Sequence, residues 1–279
     1  MSIQEGRAGA ALAAAVRDAL LEQRQMRLKG GIYHVSQIAF AYNSNRIEGS
    51  QLDEDQTRYI YETKTINGDN VRVDDIVETV NSFTLFDTML DILDAPITLD
   101  TIRNYHRILK TGTTDAGKDW FAVGDWKRVG NIVGTQETTP PEQVEQAMQD
   151  LVDGTSQTRP MSFEDVCDWH VRFERIHPFQ DGNGRVGRML MFQQCLQHQI
   201  LPFIVLDAQK QFYYRGLAEY DTEPGYLRDT FRTFQDAYLA SVGGLLPPQA
   251  DPLKPGLPSL SSTPLPPPPP SPGGPTMTM

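Results

Sequence analysis

Along most of this chain apolar residues recur at spacings of three and four, the repeat that gathers them on one face of an α-helix. Residues 8–29, rich in Ala, Leu, Arg and Gln and stopped by Gly30-Gly31, predict a first helix. Ser36 stands where an N-cap would, and Ile38, Phe40, Ala41 and Ile47 follow before Gly49, predicting a second. Residues 53–63 open with acidic side chains and carry Tyr59-Ile60-Tyr61, a third helical stretch, and Asn67-Gly68-Asp69-Asn70 reads as a turn. Longer periodic runs follow over 73–93 (Val77, Val80, Phe83, Leu85, Leu90, Leu93) and 98–110 (Ile102, Tyr105, Leu109). His106 falls on the last of these and reads as a core histidine.

From 112 to 141 the helical repeat lapses. Gly, Thr and Asp break the segment, and Phe121-Ala122-Val123 with residues 126–133 predict a short irregular hairpin. Pro141 then opens a helix over 142–152 with Val144, Met148, Leu151 and Val152 facing inward. Ser162 and Asp165 have the spacing of a capping box, ahead of Phe163, Val166, Phe173 and Ile176. Pro178 disfavours helical geometry at His177, so that helix stops there. Val186, Met189, Leu190, Phe192 and Leu196 form the next buried face. Leu201-Pro202-Phe203-Ile204-Val205 is an apolar connector to helices over 208–220 and 225–242. The fold class is therefore mostly α, a helical bundle with one small β-hairpin. Residues 1–35 read as an N-terminal helical extension. Beyond Pro247 the composition turns to Pro, Ser, Leu and Gly, which predicts a disordered, polyproline-II-prone tail over 247–279.

Composition adds limits. A hydrophobic content of 39% supports a sizeable core, and a net charge of −11 argues against nucleic acid or an anionic membrane as the main partner. Any anion site must then be local. Cys167 and Cys195 lack metal-binding or redox spacing and lie on apolar patterns, so both read as buried free thiols. The alanine-rich run over 8–15 is too short for a bilayer and is followed at once by Arg17 and Asp18. With no signal peptide visible, the expected compartment is cytoplasmic.

The chemistry concentrates in His177-Pro178-Phe179-Gln180-Asp181-Gly182-Asn183-Gly184-Arg185-Val186-Gly187-Arg188. Gly182 and Gly184 free the backbone to approach a ligand, and the helix that starts here points its unpaired N–H groups at the same place. Arg185 and Arg188, at i and i+3, share a helix face, and two forked guanidiniums there favour a polyphosphate over a single carboxylate. Asp181 is a hard oxygen ligand beside the anion site, as Mg²⁺ bound to substrate phosphates requires. His177 titrates near neutrality and can take a proton from a nucleophile.

This run resembles the signature of the Fic family of protein AMP-transferases, HPFx[D/E]GNGRxxR, and every fixed position matches. The resemblance implies a helical Fic domain over 36–246 and transfer of AMP from ATP to a Ser, Thr or Tyr hydroxyl of a target protein or of the chain itself. It makes His177 the base and Asp181 the Mg²⁺ ligand. Gly182, Asn183 and Gly184 become an anion hole, with Arg185, Val186, Gly187 and Arg188 continuing the nucleotide-contacting run, Arg188 at the γ-phosphate. Phe179 becomes the loop's anchor. Ser44-Asn45-Arg46-Ile47-Glu48-Gly49 is similar to the family's inhibitory motif [S/T]xxxE[G/N], so Ser44 and Glu48, on a helix over about 36–49, are expected to restrain the site by pairing with Arg188. By the same likeness Val133, Gly134, Thr135 and Gln136 belong to a flap that holds the target segment, and Tyr213 and Tyr214 flank the nucleotide. Asp221 stands where family members often carry Asn. The family scaffold also supports AMP removal and transfer of other phosphate-containing groups. No DNA-binding module is expected, and a homodimer is compatible with the family.

Overall fold

A computed structural model of the chain describes residues 3–133, 136–154 and 159–246. The predicted tail over 247–279 lies outside the described residues, as do Gly134 and Thr135. The elements are α1 (Ile3–Met26), α2 (Ile32–Ile47), α3 (Glu54–Thr63), α4 (Val73–Asp91), α5 (Leu99–Lys110), β1 (Ile132–Val133), β2 (Gln136–Glu137), α6 (Pro141–Asp153), α7 (Phe163–Ile176), α8 (Asn183–Gln197), α9 (Lys210–Ala218) and α10 (Gly225–Val242).

Local sequence explains most of the boundaries. Asp53 with Gln56, Thr98 with Thr101 and Ser162 with Asp165 each form a reciprocal capping box, satisfying N–H groups that the first helical turn leaves free. Pro141 occupies the first turn of α6, where its missing N–H is no loss. α1 ends at Met26 instead of running to 29, because Arg27 turns left-handed at φ 51°. α2 begins at Ile32 with Gly31 as its cap, which corrects the expected start at Ser36. Ile32 and Tyr33 are buried and pull the helix start upstream. Ser36 sits inside the helix, its hydroxyl 2.7 Å from that of Tyr238.

The hairpin is also smaller than expected. Only Ile132 with Glu137 and Val133 with Gln136 pair as strands, antiparallel. Phe121, Ala122 and Trp126 are buried plugs, not strand residues. Gly124, at φ 71°, bends the chain so that its N–H donates to His106 Nδ1. Packing of large side chains replaces ladder pairing there.

α8 is the axis of the bundle. From Asn183 to Leu196 only Gly184 is not buried, and α7, α5, α4, α2 and α1 all pack on it. Phe192 meets Phe40, Phe86 and Tyr238 at centroid separations of 5.5–6.0 Å, linking α2, α4, α8 and α10. α1 contributes Val16, Ala19 and Leu20 to the same core. A smaller cluster of Ala41, Leu52, Ile60 and Phe83 lies under α3. Cys167 and Cys195 are buried free thiols. Among the described residues no helix is long and apolar enough to cross a membrane.

α9 crosses α10 at Gly216, where an added Cβ would lie 2.7 Å from Leu227 Cα and 2.9 Å from Leu227 N. Those are backbone atoms and cannot swing aside. Gly216→Ala should lower unfolding free energy by about 1–3 kcal/mol, read by urea denaturation, by forcing the two helices apart.

Candidate active site

α7 ends at His177 because Pro178 follows, and His177 takes the left-handed conformation at φ 51°, ψ 61°. That turn moves the imidazole off the helix. Its Nδ1 lies 3.3 Å from Glu174 O, so Nδ1–H donates and Nε2 keeps its lone pair. Burial lowers the His177 pKa, and the nearby Lys127 charge lowers it further. The imidazole is therefore neutral, and able to accept a proton, at neutral pH.

The loop after it is held by three contacts. Phe179, fully buried, stacks on His106 with centroids 4.0 Å apart and planes 4° from parallel. Asn183 Oδ1 accepts from Phe179 N, and Asn183 Nδ2 donates to Phe179 O, both at 2.8 Å. His106 Nδ1 accepts from Gly124, which leaves Nε2–H to donate to Asp181 O at 3.1 Å. Phe179 is thus the anchor and His106 is structural. The Asn183 side chain is spent on the loop, so only its backbone N–H remains for a ligand.

Gly182 caps α8 in the left-handed region at φ 82°, with no side-chain cap on the helix. The first N–H groups of α8 therefore face outward with the positive end of the helix dipole. Gly184 is needed for a close approach: a Cβ there would fall 2.2 Å from Glu48 Oε1. The Glu48 carboxylate, from the end of α2, already rests on this turn. Arg188 Nη2 holds its Oε1 at 2.7 Å and donates to Ser44 O at 2.9 Å, while Arg188 Nε donates to Ser44 Oγ at 3.0 Å. Ser44 and Glu48 are thus brought onto Arg188.

Arg185 joins a second charge cluster. Its Nη1 lies 2.5 Å from Glu78 Oε2 and its Nη2 3.0 Å from Asp181 Oδ2. Lys110 Nζ touches Glu78 Oε1 at 2.5 Å and Asp181 Oδ2 at 2.6 Å. Burial would raise the Asp181 pKa, but the Arg185 and Lys110 charges outweigh it and hold the carboxyl well below the usual range. Sequence reasoning missed Glu78 and Lys110, which sit on amphipathic helices where a charge reads as solvated. It also missed Glu174, which burial pushes up to about 7 against the opposing effect of Arg188. Gly187 makes room for Glu174, since a Cβ there would lie 2.6 Å from Glu174 Oε1.

The outer residues divide. Val186 and Gly187 are buried inside α8. Ile132 and Val133 are exposed on β1, and the Gln136 backbone pairs with Val133. Tyr213 is buried, its hydroxyl 2.9 Å from His170 Nε2. Tyr214 is 46% exposed, and its hydroxyl donates to Ile47 O at 3.3 Å, beside Glu48. Asp221 pairs with Arg175 on the surface.

The fold and this loop define a class. Residues 96–195, from just before α5 to near the end of α8, match the Fic/DOC family model, so this segment is similar to a Fic domain. The protein adenylyltransferase Fic of Nematostella vectensis is 29% identical over 218 residues, 72% of this chain and 48% of that protein. The protein adenylyltransferase fic-1 of Caenorhabditis elegans is 26% identical over 184 residues, 64% of this chain and 35% of that protein. The chain thus spans about half or less of the length of these relatives. Among solved structures, a Fic domain containing signaling protein from Bacteroides thetaiotaomicron matches with a TM-score of 0.65 at 22% identity, covering 82% of this chain and 95% of that one. Residues 134–508 of Fic-1 from C. elegans match at a TM-score of 0.60 and 21% identity, covering 87% and 73%. Both share the helical Fic fold.

Asn183→Ala would orphan the buried N–H of Phe179 and leave its C=O with only the longer bond from Asn131 Nδ2. Unfolding free energy should fall by roughly 2–4 kcal/mol in urea titrations, with far-UV ellipticity unchanged. A second expectation concerns acid. Burial pushes the His106 and His170 pKa values down to about 3. Unfolding exposes imidazoles that titrate near about 6.5. The unfolded chain then binds protons that the folded chain refuses. This part of the stability is complete above about pH 6.5 and is lost as pH falls toward about 3. His170→Gln should flatten the slope of unfolding free energy against pH, between about pH 4 and 6, by about 1.4 kcal/mol per unit.

Proposed function

We propose that this chain is a protein adenylyltransferase, transferring AMP from ATP to a side-chain hydroxyl of a protein, and that Glu48 restrains it. The observation that carries the reading is an anion already seated in the site: the Glu48 carboxylate, held by Arg188 over the open N-terminal turn of α8. A place built for a carboxylate at a helix start, with a second arginine one turn away, suits phosphate oxygens. The naming of the relatives as adenylyltransferases supports the same chemistry.

In this reading the target hydroxyl attacks the α-phosphorus of ATP. The new O–P bond forms as the bond to pyrophosphate breaks, and the hydroxyl proton goes to His177 Nε2. Arg185 and Arg188 hold phosphates, and the N–H groups of Gly182, Asn183 and Gly184 face the charge that develops. Most of the acceleration would come from positioning and preorganised charge. Asp181 fits a Mg²⁺ ion that also binds the substrate phosphates, because Mg²⁺ needs only one or two protein carboxylates. The ion would neutralise phosphate charge there. In this reading an extended target segment would pair with β1, whose Ile132 and Val133 are exposed. Tyr214, half-exposed and bonded to Ile47 O next to Glu48, would flank the nucleotide.

Restraint follows from the valence of Arg188. One guanidinium face cannot hold Glu48 and a γ-phosphate together. Freeing it restores a charge-assisted contact of about 1.5–3 kcal/mol, so Glu48→Gly should bind ATP roughly ten- to a hundredfold more tightly. Incubated with ATP and Mg²⁺, that protein should gain the mass of AMP on itself or on an added target, read by intact-mass spectrometry. Adding His177→Ala should cut the labelling rate by roughly 10²–10⁴-fold and leave ATP binding in place. Labelling that survives the loss of His177 would remove it as the base, and a different mass increment would change the transferred group.

A further inference from the structure

Lys127 is an unusual residue for its position. It is only 3% exposed, and among the described residues no carboxylate lies within ion-pair distance of it. Its Nζ donates instead to neutral oxygens: Asn131 Oδ1 at 2.9 Å, Thr138 Oγ1 at 2.5 Å and Ile176 O at 3.5 Å. A buried ammonium without a counter-ion is costly, and chains rarely keep one without use.

Its partners connect two parts of the site. Asn131 and Thr138 stand on either side of the β1–β2 hairpin, at its root, and Thr138 N–H donates to Asn131 O at 3.3 Å. Ile176 is the last residue of α7, directly before His177. The Lys127 backbone N–H donates to Pro178 O at 2.8 Å, directly after His177. Neighbouring bonds run the same way: Asn131 Nδ2 to Phe179 O at 3.3 Å and Val129 N–H to Gln180 Oε1 at 3.3 Å. The hairpin root and the His177 loop thus meet at one ammonium.

We propose that Lys127 is a positioning residue that locks the hairpin root onto the loop carrying His177 and sets an uncompensated positive charge beside that imidazole. The charge works against protonation of His177, where the Glu48 and Asp181 carboxylates work for it and the Glu174 carbonyl accepts the Nδ1 proton. It keeps the base free at lower pH, while the hydrogen bonds keep the target-facing edge in register with Nε2. Burial pushes the lysine itself down to about 8, so it is cationic through the range in which His177 titrates. The assignment rests on the reading of His177 as the base, but two of its three readouts need no activity.

The test uses the full chain with Lys127→Met, Lys127→Gln and Lys127→Arg. The His177 pKa is read by NMR titration of ¹³C-labelled histidine, its signal assigned by its loss in His177→Ala. It should rise by about half a unit or more in the Met and Gln proteins and stay near wild type in Arg. Amide exchange at Val129 and Thr138 should quicken about tenfold in Lys127→Met, as the tie is lost. In a Glu48→Gly background, the acid limb of kcat/KM should move to higher pH in Met and Gln, and KM for the target should rise while ATP affinity holds. If Lys127→Met does not fold, Lys127→Gln carries the charge test. An unmoved His177 pKa in a folded uncharged variant, or unchanged exchange at the hairpin root, overturns the assignment. Loss of AMP transfer in every protein, wild type included, would instead overturn the activity and leave the titration and exchange results to stand.

Discussion

Two guanidiniums lie in the first turns of α8, and almost none of their surface reaches solvent: Arg185 is 4% exposed and Arg188 3%. A buried cation must be matched by an acceptor or expelled. The bundle around α8 is arranged to match both. α2 sends Ser44 and Glu48 to Arg188, α4 sends Glu78 to Arg185, and the loop before α8 sends Asp181. Lys110 from α5 completes the second cluster with two cations and two carboxylates. Much of what looks like helix packing is also the seating of these charges.

This constraint makes the resting structure and the proposed activity compete for the same groups. The carboxylates that compensate the arginines stand where phosphates would be welcome. In the proposed reaction a phosphate would have to replace the carboxylate, since a buried arginine left alone would be worse than with either partner. Gly184 makes the arrangement possible sterically, as any side chain there would push the Glu48 carboxylate away.

The imidazole depends on a separate framework. Phe179, His106 and Trp126 pack as an aromatic wedge under the loop, and Asn183 clips it to α8. Lys127 ties the same loop to the hairpin from the other side. The loop is therefore tied down around Arg185, Arg188 and His177, while Ile132 and Val133 on β1 are exposed.

Short-range order was legible in the chain. The capping box at Ser162, Pro141 at a helix start and Pro178 at a helix stop act within four residues, so their consequences are written locally; the boxes at Asp53 and Thr98 act over the same range but emerged only with the structure. The run from His177 to Arg188 was legible because its chemistry is contiguous. Tertiary packing decided the rest. It moved the start of α2 from Ser36 to Gly31 and turned Phe121 and Trp126 from strand residues into core. It also brought Glu78 and Lys110 to Asp181 and Arg185. Glu48 reaches Arg188 across 140 residues; the motif resemblance anticipated that pair, but no periodicity encodes the distance. Burial is a property of the assembled bundle, and burial is what turns ordinary charges on amphipathic helices into obligatory partners.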